Sequence, residues 1–147
     1  MKEFILALDQ GTSSSRAMLY DNSGKTISIA QQAIEMSHPK DGWVEQDPNE
    51  IWDSVLAAGR EAITSSGIDP KFIKGIGITN QRETTLVWNK KTGECVYNAI
   101  VWQDRRTITT CIEMDSATLD GKALSEQIAD KTGLLIDPYF SSTKLHW

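Results

Sequence analysis

Two stretches of this chain hold residue types whose spacing could do chemistry. In Ile78-Thr79-Asn80-Gln81-Arg82-Glu83-Thr84-Thr85 a cation and an anion, Arg82 and Glu83, stand side by side where the apolar run 73–78 turns polar. A run of that kind reads as a buried strand, and its carboxyl end is where ligands bind in open α/β sheets. Arg only donates hydrogen bonds and an ionised Glu only accepts them. The pair is close to neutral yet rich in hydrogen-bonding capacity, which suits the hydroxyls of a small polyol better than a phosphate. Taken alone, the same pair also fits a surface ion bridge in a turn.

The second stretch, Asp9-Gln10-Gly11-Thr12-Ser13-Ser14-Ser15-Arg16, lies between two strand-like segments. Gly11 permits close approach of another group and positive φ. Thr12, Ser13 and Ser14 bring hydroxyls and backbone N–H groups that can line an anion-binding concavity, and Arg16 adds a charge for phosphate oxygens. Asp9, ending a buried strand, is placed to hold a hydrated Mg²⁺, which takes oxygen ligands and keeps several waters. The glycine–lysine signature of a P-loop is absent. A plain polar hairpin is the competing reading of these residues alone.

The elements that must position these groups follow from patterning. Residues 4–9, 16–21 and 26–34 read as three successive strands, the last two joined by the turn Asn22-Ser23-Gly24-Lys25. Residues 37–46 read as loop. Asp47, Pro48 and Glu50 open a helix as N-cap, first-turn proline and capping-box carboxylate. Ile51, Trp52, Val55, Leu56, Ala62 and Ile63 form its expected buried stripe, and Gly67 ends it. As the crossover, this helix makes the strand at 73–79 parallel to an earlier one. Further strands are expected at 84–88 and 99–102, and helices at 105–114 and 123–131.

Composition narrows the class. The chain has 147 residues, 39% of them apolar, with a formal net charge of −5. That acidic balance argues against nucleic acid as a partner, and no apolar run reaches the length a transmembrane helix needs. The start at Met1-Lys2-Glu3 leads straight into a strand and carries no signal-peptide pattern. Cys95 and Cys111 lack metal or redox spacing and read as free buried thiols in preference to a disulfide, which points to the cytoplasm.

These motifs, together with Gly42-Trp43-Val44-Glu45-Gln46-Asp47-Pro48, the segment 97–107 containing Trp102-Gln103-Asp104-Arg105-Arg106-Thr107, and the segment 132–140 containing Asp137-Pro138-Tyr139, resemble the FGGY family of carbohydrate kinases. The resemblance spans practically the full chain. Cys95, where proline is more usual, and a slightly long segment at 115–122 are its small departures. It implies an α/β fold of the ribonuclease H-like, actin-like ATPase kind: a mixed five- to six-stranded sheet with flanking helices. It implies ATP-dependent phosphorylation of glycerol, with another polyol or a ketose as the alternative substrate. Gly11, Thr12, Ser13, Ser14, Arg16 and Gln10 would serve the nucleotide phosphates and Asp9 the Mg²⁺. Arg82, Glu83 and Tyr139 would bind the hydroxyls of glycerol, while Trp102 covers its carbon chain. Residues 1–147 would then be an incomplete N-terminal domain, with the catalytic base in a later part of a longer chain. The full-length protein would be a homo-oligomer, dimer or tetramer. A ribonuclease H-like nuclease shares the strand order, but it needs several acidic residues around two metals, and here Asp9 stands alone at the expected strand.

Overall fold

A computed structural model describes residues 3–147. In chain order the elements begin with strands β1 (Phe4–Gln10), β2 (Ser14–Asp21), β3 (Thr26–Ala33) and β4 (Glu45–Gln46). Helix α1 (Pro48–Ser66), β5 (Ile73–Asn80) and β6 (Ala99–Ile100) follow. The remainder is α2 (Ile108–Ser116), β7 (Thr118–Leu119), β8 (Lys122–Ala123), α3 (Leu124–Thr132) and α4 (Ser141–His146). The chain divides into two compact units, Met1–Met36 with Gln46–Arg82, and Ser37–Glu45 with Glu83–Trp147.

In the first unit the sheet order is β3-β2-β1-β5. β1 runs antiparallel to β2, β2 antiparallel to β3, and β5 parallel to β1, as a helical crossover requires. Period-two alternation sends Phe4, Leu6 and Leu8 to the face that α1 covers. There they join Ala17, Leu19 and Ala30 in a core closed by Ala58 and Ala62 of the helix. Ser15 and Ser54 share a buried hydroxyl–hydroxyl bond of 2.8 Å across this interface.

Asp47 accepts from the Asn49 N–H at 2.8 Å, as an N-cap should. The expected capping box does not close, because Glu50 accepts instead from the Glu35 N–H at 2.9 Å. The expected buried stripe holds in part: Ala62 is buried and Ile63 packs against the core. Trp52 is 63% exposed, and the helix meets the sheet through Ser54, Ala58, Gly59 and Ala62. Small residues let the helix come close: a Cβ on Gly59 would lie 3.5 Å from Leu8 Cδ2. Nor is β5 buried, for Ile78 is 73% exposed. It forms an edge of this sheet, with β1 as its partner there.

In the second unit, 84–88 is not a regular strand. Single bridges pair Thr85 with Ile100 and Trp88 with Cys95. Among the described residues the main sheet therefore has four strands, fewer than expected, and the rest of the pairing is in two-stranded pieces. Helix α2 starts at Ile108, later than expected, because Asp104 and Arg106 are held in the preceding turn. The slightly long segment closes as a β7–β8 hairpin over Asp120-Gly121, both at positive φ. Both cysteines are free, but only Cys111 is buried as expected, and Cys95 is half-buried.

Candidate functional site

In the first unit, alternation along β1 splits two adjacent residues between opposite faces. Gln10 follows Leu6 and Leu8 onto the helix side and is buried. Asp9 lies on the other face, in register with Arg16 on β2 and Thr79 on β5, and Arg16 is in turn in register with Gln31 on β3. The exposed Arg16 is steered by Gln31, whose Oε1 accepts from Arg16 Nε at 3.3 Å and Nη2 at 3.2 Å. Gln31 Nε2 donates to Ser14 Oγ at 2.7 Å, so the guanidinium and the Ser14 hydroxyl are tied through one amide. Gln31 carries no motif, and sequence reasoning missed it.

The hairpin between β1 and β2 is held through its carbonyls. The Gly11 N–H donates to Ser14 O at 2.9 Å, and the Ile34 N–H donates to Ser13 O at 3.0 Å. Gln10 Nε2 donates to Gly11 O at 2.8 Å, and Gln46 Nε2 to Thr12 O at 2.6 Å. Gln10 thus spends its amide behind the hairpin rather than beside Asp9. Ser13 is exposed, whereas Gly11, Thr12 and Ser14 are half-buried. Arg82, exposed, is the last residue of this unit.

In the second unit Glu83 is half-buried and takes a left-handed backbone with φ 62°. Such a conformation is uncommon for a residue with a Cβ and tends to occur at functional sites. Trp102 and Tyr139, far apart in sequence, meet edge to face with ring centroids 5.9 Å apart. The Tyr139 N–H donates to Asp137 Oδ1 at 2.8 Å, and Asp137 pairs with Arg105 at 3.3 Å. Buried Lys144 donates from Nζ to Val101 O at 3.1 Å and to Tyr139 O at 3.3 Å. Burial pushes the Lys144 ammonium below its ordinary pKa, against the pull of Asp104 and Glu83.

A buried ion cluster supports the same unit. Arg106 Nη2 donates to Glu45 at 2.7 Å and to Asp104 at 2.8 Å. Its guanidinium lies 3.9 Å from the Trp43 ring centroid and 4.7 Å from that of Trp147. Arg106 Nη1 has no hydrogen-bond partner, and the aromatic faces supply its electrostatic company. Asp104 also accepts the Val44 N–H at 2.6 Å. Glu45, Asp104, Arg106 and Lys144 were not singled out from sequence, although the first three lie inside the quoted motifs.

The comparisons agree with this architecture. The model of the FGGY family of carbohydrate kinases, N-terminal domain, matches residues 4–147. A glycerol kinase from Marinomonas sp. (strain MWYL1) is 54% identical over 147 residues, which is 100% of this chain and 29% of that protein. The crystal structure of Plasmodium falciparum glycerol kinase with ADP superposes with a TM-score of 0.87 at 32% identity, covering 99% of this chain and 28% of that one. A xyloylose kinase from Brucella ovis follows with a TM-score of 0.84 at 26% identity, over 99% of this chain and 29% of its own. The chain belongs to the FGGY family of carbohydrate kinases. The expected fold class, a mixed sheet with flanking helices of the actin-like ATPase kind, is borne out. The chain spans less than a third of the relatives it matches.

Proposed function

We propose that this chain is the N-terminal part of a longer enzyme that phosphorylates glycerol with ATP, giving glycerol 3-phosphate and ADP. The observation that carries the reading is the 54% identity, over all 147 residues, to a relative named glycerol kinase. Residues Gly11, Thr12, Ser13, Ser14 and Arg16 receive the nucleotide phosphates, and Gln10 acts from behind the hairpin. Arg82, Glu83 and Tyr139 bind the glycerol hydroxyls, and Trp102, edge to face with Tyr139, covers the carbon chain.

Asp9 is the carboxylate for Mg²⁺. Among the described residues no group of three or more His, Cys, Asp or Glu could cage a metal. A lone carboxylate at a strand end suits an ion that keeps its waters and takes phosphate oxygens. When bound, the ion neutralises charge on the phosphates.

Transfer balances simply. The terminal hydroxyl oxygen bonds to the γ-phosphorus while that atom's bond to the β–γ bridging oxygen breaks. ADP leaves with the electron pair, and the hydroxyl proton passes to a general base. We assign that base and the adenine pocket to the part of the enzyme beyond residue 147, so residues 1–147 alone should not turn over. The full-length protein is read as a cytoplasmic homo-oligomer, a state that sizing in solution tests. No helix of the described residues is long and apolar enough to cross a membrane.

The second reading, a kinase of another polyol or a ketose, is favoured by the likeness to the xyloylose kinase. A coupled ADP-release assay on the full-length protein with glycerol and with xylulose separates the two. Preference for the pentulose would overturn the choice of glycerol.

A further inference from the structure

Three glutamines from separate parts of the chain meet in the interior of the first unit: Gln10 at the end of β1, Gln46 in β4 and Gln81 just after β5. Their exposures are 8%, 1% and 9%, low for a side chain with two donors and an acceptor to satisfy. Gln81 Nε2 donates to Gln10 Oε1 at 3.2 Å and to Gln46 Oε1 at 2.9 Å. With their oxygens committed to Gln81, Gln10 and Gln46 turn their NH₂ groups to the hairpin, onto Gly11 O and Thr12 O. The network has one polarity. It runs from Gln81 outward and ends on two consecutive carbonyls of the hairpin.

That polarity matters to an anion. A concavity that receives phosphate must present N–H groups and keep carbonyl oxygens, its negative ends, engaged elsewhere. The amides of Gln10 and Gln46 engage Gly11 O and Thr12 O, and the Ile34 N–H engages Ser13 O. We propose that the Gln10–Gln46–Gln81 triad is a positioning device for nucleotide binding, with Gln81 setting the amide orientations that draw the hairpin carbonyls away from the phosphates. The inference deepens the proposed kinase reading and rests on it. None of the three side chains needs to touch the nucleotide.

The triad is tested in the full-length protein through Gln46→Met, Gln81→Met and Gln81→Glu. Gln46→Met removes the tie to Thr12 O. Gln81→Met removes the central donor without adding repulsion. Gln81→Glu sets a carboxylate against two carbonyl oxygens and should turn both amides over, aiming oxygens at Gly11 O and Thr12 O. Binding of ADP by calorimetry and KM for ATP should weaken about tenfold in Gln46→Met, and more in Gln81→Glu than in Gln81→Met. KM for glycerol in Gln46→Met should stay within twofold of the parent. A role confined to stability would lower Tm in all three and leave nucleotide affinity unchanged, and that result overturns the proposal. Should Gln81→Glu fail to fold, Gln46→Met decides alone. If the unsubstituted protein phosphorylates glycerol but Gln46→Met binds ADP normally, only the triad falls. If the unsubstituted protein neither binds ADP nor turns over, the kinase reading falls with it.

Discussion

Lys144 donates from Nζ to the carbonyl of Tyr139 at 3.3 Å, and the same ammonium holds the carbonyl of Val101 at 3.1 Å. One buried cation therefore fixes the backbone beside both members of the Trp102–Tyr139 ring pair. In Lys144→Met both carbonyls lose the ammonium. Val101 O keeps the Asp104 N–H at 2.9 Å, but Tyr139 O loses this donor, at about 1–3 kcal/mol for a group left unsatisfied. The rings should loosen, kcat/KM for glycerol in the full-length protein should fall at least tenfold, and ADP affinity should hold. Steady-state kinetics beside ADP calorimetry checks this. Equal losses for both ligands would point to general unfolding instead.

Arg82→Ala separates a polyol-binding arginine from a surface one. Removing a charged hydrogen-bond partner of a substrate hydroxyl costs on the order of 2–4 kcal/mol in kcat/KM. An exposed ion bridge contributes about 0–1 kcal/mol to stability and leaves turnover alone. Wild-type kcat/KM for glycerol in this variant would remove Arg82 from the site.

The stability of the second unit should respond to acid through Glu45. Burial works to raise its carboxyl pKa, but hydrogen bonds from Asn98, Arg106 and Tyr97 outweigh it and hold the group below its ordinary 4.5. The folded state then binds this proton less readily than the unfolded chain does. The contribution is present above pH 4.5 and is lost as pH falls through the lower folded value. Urea midpoints of the parent and of Glu45→Gln, taken from pH 6 down to about 3, should converge as the parent loses its advantage. A constant gap across that range would refute the assignment.

At Gly11 an added Cβ would meet Ser14 O at 3.1 Å, the same oxygen that accepts the Gly11 N–H. Gly11→Ala requires that backbone oxygen to give by a few tenths of an ångström, which strains the turn. ADP binding should weaken several-fold while Tm moves by a few degrees at most, which a calorimeter and a melting curve resolve. An unchanged Kd for ADP would mean that the hairpin does not hold phosphates.

Much of the frame could be read from the residues because local rules and tertiary packing agree there. The turn at Asn22–Lys25, the Asp47–Pro48 helix start and the Gly67 stop all appear where patterning puts them. Trp52 misled because helical spacing does not say which flank of an apolar stripe meets the sheet, and α1 approaches it through Ala58 and Gly59 together with the expected Ala62. Ile78 misled because an apolar run does not say whether its strand is central or at an edge. In the candidate site, Trp102 and Tyr139, which the resemblance assigns to one ligand, lie edge to face. Gln46, Gln81 and Lys144 escaped notice because such side chains are usually solvated. Only the reciprocal fit of their donors and acceptors marks them as interior.

The left-handed backbone at Glu83 sets local fitness against global robustness. With φ at 62°, the position favours glycine over a residue with a Cβ, a preference worth about 1–3 kcal/mol in such regions. A library selected only for heat tolerance should therefore enrich Gly, and secondarily Asn, at this codon. A library selected for growth on glycerol should return Glu. Sequencing both pools would show whether the carboxylate is kept in spite of its backbone.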